Sequence, residues 1–333
     1  MPIPFILGAV AAGAGLVGAK KGYEAHQKNK QAGEMNDRAQ RMLDRSKRQA
    51  NRARKSANDA LEALGKTKLN TMQGPLTDFV RAFEQLHHID LDDTLTPEDL
   101  RNLKGCRESL SAMKEQSSLA GDMASGLAQG AVAGGLLALG AYGGAMTFGA
   151  ASTGAAIAGL SGAAATNATL AFLGGGSLAA GGLGIAGGTA ILGGIVAGPA
   201  LAILGLTMDS KANENLETAR SNLAYARQIR EELHTVRDLC EAIENMGNLY
   251  SNLLGNLGQL LCAVVQNLQQ LIRQSGTDFR RYTREEKTVV AEDMAVAKAV
   301  STVINTPILT KNGALNEGCK RIADDAQTFL AAH

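Results

Sequence analysis

Small and apolar residues recur at threes and fours through Ala39, Leu43, Ser46, Ala50, Ala53, Ala57, Ala60 or Leu61, and Leu64. That is the period of one helix face, so the spacing predicts a long amphipathic helix with a narrow alanine seam, stopped at Gly65. A shorter helix is expected over residues 73–88, with Val80, Phe83 and Leu86 inward. Thr96-Pro97-Glu98-Asp99 reads as the next helix start, with Thr96 as cap, Pro97 in the first turn and Asp99 reaching back. Leu100, Leu103, Leu110 and Met113 carry the pattern onward.

A second long amphipathic helix is predicted over 211–246. There Leu216, Ala219, Leu223, Ala226, Ile229, Leu233, Val236, Cys240 and Ile243 again alternate threes and fours. Packed against the helices upstream, it would form an antiparallel stalk. Residues 245–272 lack formal charge and read as a separate helix with a broad leucine face and an Asn/Gln face. Thr283-Arg284-Glu285-Glu286 caps a helix running to Val303. Thr306-Pro307 ends it, 311–313 forms a turn, and 316–332 forms a terminal helix.

Between these amphipathic flanks the pattern disappears. No Asp, Glu, Lys, Arg or His occurs from 123 to 208, and more than half of the chain's 39 glycines lie there. About 20 apolar residues cross a bilayer as a helix, so the stretch has room for several crossings. Three sets of small residues recur every four positions: Gly126, Gly130 and Gly134; Gly154, Ala158 and Gly162; Ala180, Gly184 and Gly188. Each set places a flat stripe on one helix face, the arrangement that brings membrane helices into close contact. The punctuation suggests helices over 126–148, 154–173 and 177–195, or a single hairpin with its tip near 161–167. The alternatives are a Gly/Ala-rich hairpin sheltered among soluble helices and a low-complexity tract.

Composition sharpens the fold class. Among 333 residues, aromatics make up 4%, Trp is absent and Pro numbers 6. This agrees with an all-α chain, a long amphipathic bundle or stalk around a central Gly/Ala-rich hairpin or set of membrane helices. The domain reading is an N-terminal apolar segment (1–19), a first stalk part (20–122), the Gly/Ala-rich region (123–208) and a second stalk part (209–333). The net charge of +1 conceals segregation. Across 20–58, Lys and Arg far outnumber Glu24, Glu34, Asp37 and Asp44. A basic block beside an apolar segment suits anionic headgroups, with Lys20, Lys21, Lys28 and Lys30 as candidate contacts. Nucleic acid is disfavoured, because Tyr23 is the block's one aromatic residue for base stacking.

Candidate chemistry is sparse. Cys106, Cys240, Cys262 and Cys319 make no metal spacing and read as buried thiols of a reducing compartment. His87 and His88 point in different directions on a helix and do not share a metal. Gly182-Leu183-Gly184-Ile185-Ala186-Gly187 matches a GxGxxG string without a preceding strand. No phosphate loop, HExxH helix or acid/base pair appears, so no cofactor, metal or catalytic residue is expected and an enzyme is the least supported class.

The strings MPIPFILGAVAAGAGLVGAKKG, FGAASTGAAIAGLSGAAATNATLAFLGGG and VINTPILTKNG resemble a bacterial family of helical proteins with a central Gly/Ala-rich apolar hairpin. Those strings specify no reaction. Helices flanking such a hairpin also resemble, in architecture, apolipoprotein L and helical pore formers such as cytolysin A and the pore-forming colicins. The resemblance implies conditional membrane insertion. The expected function is therefore a membrane-inserting protein that oligomerises through its small-residue stripes into a pore or permeability defect, as a defence or stress effector. A non-pore inner-membrane scaffold recruiting a protein partner and a soluble helical adaptor are the alternatives. Expected partners are an anionic bilayer and further copies of the chain. The expected location is the bacterial inner membrane with cytoplasmic flanks, or the cytoplasm before insertion.

Overall fold

The computed structural model describes residues 16–89, 95–128, 133–143, 215–310 and 314–333. Its secondary structure among them is helical apart from two isolated bridges, His87 with Asp278 and Leu309 with Leu315. In chain order the helices are α1 (Leu16–Thr71), α2 (Thr77–Phe83), α3 (Pro97–Leu103), α4 (Cys106–Ala128), α5 (Ala133–Tyr142), α6 (Asn215–Ser275), α7 (Arg284–Asn305) and α8 (Gly318–Ala332). The chain divides into unit 1, Met1–Arg54 with Val196–Leu239, and unit 2, Lys55–Ile195 with Cys240–His333. α1 and α6 each contribute their N-terminal part to unit 1 and their C-terminal part to unit 2.

Unit 1 realises the alanine seam. Ala39, Leu43 and Ala50 of α1 are buried with Leu223, Ala226, Ile229 and Leu233 of α6, and Met35, Met42, Tyr225 and Val236 pack around them. Alanine at the contact lets two helices approach closely, and the larger α6 side chains fill the remaining volume. Beside this seam the Asn222 amide donates to Asn36 Oδ1 at 3.1 Å.

Unit 2 holds the larger core, which includes Leu61, Leu64, Met72, Phe79, Phe83, Met113, Tyr250, Leu257, Phe279, Met294 and Ile304. A π-helical turn, Met72–Leu76, carries Pro75 and joins α1 to α2. A proline cannot donate to the helical ladder, which explains the bend at that point. α3 has the expected capping box between Thr96 and Asp99. Its other end is closed by Lys298 of α7, whose ammonium donates to the carbonyls of Asn102 at 2.7 Å and Lys104 at 2.8 Å. α4 meets α7 through a buried bond from the Gln116 amide to Ser301 Oγ at 3.0 Å. α7 begins with the second expected box, Thr283 with Glu286. Thr283→Ala should cost about 1 kcal/mol of unit 2 stability, measurable by chemical denaturation.

Several expectations are corrected. Gly65 does not stop the first helix, which runs on to Thr71, because that glycine makes a close helix contact described below. The helix expected over 73–88 is shorter, since the π-helical turn precedes α2 and Phe83 ends it. The helices expected over 211–246 and 245–272 are one continuous element, α6. Two of its three glycines pack against α1: Gly247 faces Ala60 and Gly258 faces Thr71.

The antiparallel stalk is also overturned. In unit 2, Ala60 faces Gly247, the Thr67 hydroxyl lies 3.0 Å from that of Ser251, and Thr71 faces Gly258. Both chains advance together along these contacts, so α1 and α6 run parallel there. In unit 1, Asn36 and Asn222 pair at a separation of 186 residues, close to the 184 between Thr67 and Ser251. An antiparallel pair would have a separation that changes steadily along its length.

Candidate functional site

The uncharged stretch starts inside unit 2. Of the first helix expected within it, over 126–148, the described residues include two parts. α4 ends at Ala128, residues 129–132 lie outside the described residues, and α5 occupies Ala133–Tyr142. Leu136, Leu139, Gly140, Ala141 and Tyr142 are buried. These residues of α5 are sheltered, and within the stretch 129–132 and 144–208 lie outside the described residues.

The shelter is built first by missing side chains. A Cβ added at Gly65 would collide with the carbonyl of Leu136, and one added at Gly140 would collide with the carbonyl of Leu61. α1 and α5 therefore touch backbone to backbone where Leu61 and Gly65 cross Leu136 and Gly140. Such proximity maximises dispersion contacts and leaves no room for water.

The second component closes the C-terminal end of α5. The last four carbonyls of a helix lack intrahelical partners and carry partial negative charge. Lys68 lies one turn beyond Leu64 on the α1 seam and is fully buried. Its ammonium donates to the carbonyls of Leu139 and Gly140, each at 3.4 Å, and of Thr306 at 3.3 Å. These contacts are long, so one cation is shared among three acceptors. The next carbonyl, Ala141, accepts from the backbone N–H groups of Ile308 at 2.8 Å and Leu309 at 3.0 Å. Gly143 then turns the chain at φ 55°, the left-handed conformation that commonly follows a helix end. A side chain there would also approach the Ile304 carbonyl to 2.6 Å.

Burial governs the electrostatics. It pulls the Lys68 ammonium down from 10.5 to about 7. The Tyr142 hydroxyl has no partner among the described residues. Burial, with Glu292 as a smaller contributor, pushes Asp293 of α7 up to about 7. The Tyr250 phenol, raised mainly by burial, donates to the Cys319 carbonyl at 2.7 Å. This arrangement closes the C-terminal end of α5. Among the described residues, no group of His, Cys, Asp and Glu is placed to hold a metal ion.

The residues singled out in the sequence fall elsewhere. Gly126 lies in α4 and Gly134 in α5. Gly130, Gly154, Ala158, Gly162, Ala180, Gly184 and Gly188 lie outside the described residues, as does the GxGxxG string. Lys20, Lys21, Lys28 and Lys30 all lie in α1, and Lys28 and Lys30 are exposed. His87 pairs through its backbone with Thr277 and Phe279, while the His88 ring lies 3.3 Å from Asp278. Of the four thiols expected to be buried, Cys240 and Cys319 are buried, Cys106 is half-buried and Cys262 is exposed. Cys262 falls on the outer, amide-rich face of α6.

Sequence reasoning missed Lys68 and Gly140. Lys68 occupies a seam position where Ala57, Leu61 and Leu64 predict another apolar residue, and that misfit was its signal. Among the described residues no helix is long and apolar enough to cross a membrane. Comparison with known proteins found no matching family model, no matching curated protein and no matching solved structure.

Proposed function

We propose that this chain is a membrane-inserting helical protein whose unit 2 holds the first helix of the uncharged stretch until the bilayer receives it. The supporting observation is α5, an uncharged helix enclosed by glycine-mediated backbone contact and by carbonyl caps from Lys68, Ile308 and Leu309. The stretch that follows is equally free of charge and rich in glycine. Isolated helices of that composition are weak in water, because each glycine costs about 1 kcal/mol relative to alanine. They gain order from partner helices or from a bilayer, where unpaired backbone groups are heavily penalised. The small-residue stripes supply the contact for oligomerisation, and the product is a pore or permeability defect in an anionic inner membrane, with a role in defence or stress.

The test is dye release from anionic liposomes, with co-flotation measured on the same sample. Flotation with leakage is the expected result. Flotation without leakage replaces the pore by a non-pore scaffold that recruits a protein partner. Absence of flotation removes the membrane reading. A helical adaptor is then the second reading.

A further inference from the structure

The seam of α1 buries Ala39, Leu43, Ser46 and Ala50. On the opposite face Arg38, Arg41, Arg45, Arg48 and Arg52 are all exposed. Their spacing of three, four, three and four keeps them on one ridge about 21 Å long at 1.5 Å per residue. Among the described residues none of the five makes an ion pair, although pairs such as Lys55 with Asp59 and Lys66 with Glu62 occur farther along the same helix. Like charges one turn apart destabilise a helix, and Glu34, Asp37 and Asp44, one turn before Arg38, Arg41 and Arg48, offset five arginines only in part, so an external anion would stabilise the row. Arginine is suited to that role, since its planar fork meets phosphate oxygens in pairs.

The chain around unit 1 indicates which anion. α1 follows the apolar residues 3–15, and α6 follows the uncharged stretch. Basic residues beside apolar segments constitute the two signals that hold a protein at a lipid surface. We infer that the ridge Arg38, Arg41, Arg45, Arg48 and Arg52 docks on an anionic lipid bilayer, with the α1 portion of unit 1 lying along the membrane plane. This rests on the membrane reading above and adds the face presented and its side-on orientation.

The test uses the full chain with all five arginines changed to glutamine, Arg38→Gln through Arg52→Gln. Glutamine preserves helix propensity at exposed positions, and far-UV circular dichroism checks the fold. Flotation is compared on phosphatidylcholine vesicles and on vesicles containing phosphatidylglycerol. The wild-type chain should favour the anionic vesicles and lose that preference at about 1 M salt, where screening extends about 3 Å. The glutamine set should lose at least about tenfold in affinity for anionic vesicles, and a set with lysine at the same five positions should retain most of it.

Equal binding of wild type and the glutamine set to anionic vesicles overturns the ridge and leaves the membrane reading standing. Loss in both the glutamine and lysine sets also overturns a charge-based ridge. Failure of the wild type to float with either composition defeats the membrane reading and the ridge with it. Ridge-dependent binding of an RNA oligonucleotide without vesicle binding would assign the arginines to nucleic-acid phosphates instead.

Discussion

Gly140→Leu should detach α5 from α1 while leaving unit 1 folded. The added Cβ meets the Leu61 carbonyl, a backbone atom that cannot swing aside as a flexible side chain can. Overpacking of a well-filled core costs about 1–3 kcal/mol where side chains can adjust, so a collision with backbone belongs at about 3 kcal/mol or more. α5 buries only Leu136, Leu139, Ala141 and Tyr142 among its large or apolar side chains of known burial, so its attachment should yield before the rest of unit 2. Amide hydrogen exchange across 133–143 should therefore become fast, while protection in the α1–α6 seam of unit 1 remains. On the proposed function, the same variant binds anionic vesicles more readily than the wild type. Unchanged protection across 133–143 would show that the backbone contact does not hold the helix.

Lys68→Met should remove a pH dependence from unit 2. Lys68 has a pKa of about 7 in the fold against 10.5 for an ordinary lysine. Between these values the unfolded chain binds the proton and the folded chain does not. Stability contributed through Lys68 thus rises with pH across that window and is lowest below about 7, with a slope near 1.4 kcal/mol per pH unit. Asp293 has the opposite sign. Its pKa of about 7 lies above 3.8, so its cost is fully present above 7 and is relieved as pH falls toward 3.8. It therefore contributes no slope on the alkaline side.

Methionine keeps the length and apolar stem but cannot donate to Leu139, Gly140 and Thr306. Above about pH 7, where the folded-state amine is mainly uncharged, that loss is a constant offset. The stability of the methionine variant relative to wild type should therefore fall by about 2 kcal/mol between about pH 7 and pH 9, measured by chemical denaturation. Subtracting the two profiles cancels the tyrosines and Cys319. A difference independent of pH would show that Lys68 is not desolvated in the fold.

Periodicity made the seam and both capping boxes legible, because Ala39, Leu43 and Ala50 and the Thr96–Asp99 and Thr283–Glu286 pairs are local signals. The direction of α6 was not legible. A seam of threes and fours reads the same whether its partner runs up or down, and only contacts such as Asn36–Asn222 and Thr71–Gly258 distinguish them. Gly65 misled for a related reason. Glycine is both a helix stop and the residue that permits backbone contact, and the contact at Gly65 depends on Leu136, some seventy residues away. Lys68 was hidden by the usual behaviour of lysine, which rarely lies fully buried without a carboxylate. The carbonyls of a helix end can serve in place of that carboxylate, and no side-chain pattern reveals them.

The 186-residue separation between Asn36 and Asn222 also bears on how the chain folds. Contacts so distant in sequence form late, after a long loop closes. On a ribosome adding about 5–20 residues per second, α5 emerges roughly ten to thirty seconds before Thr306, Ile308 and Leu309, which complete its cap. For that interval the nascent chain carries an uncharged, glycine-rich stretch beside a half-built enclosure. On the proposed function, membrane capture at that stage would compete with folding, and the rate of synthesis would help decide which state the protein first occupies.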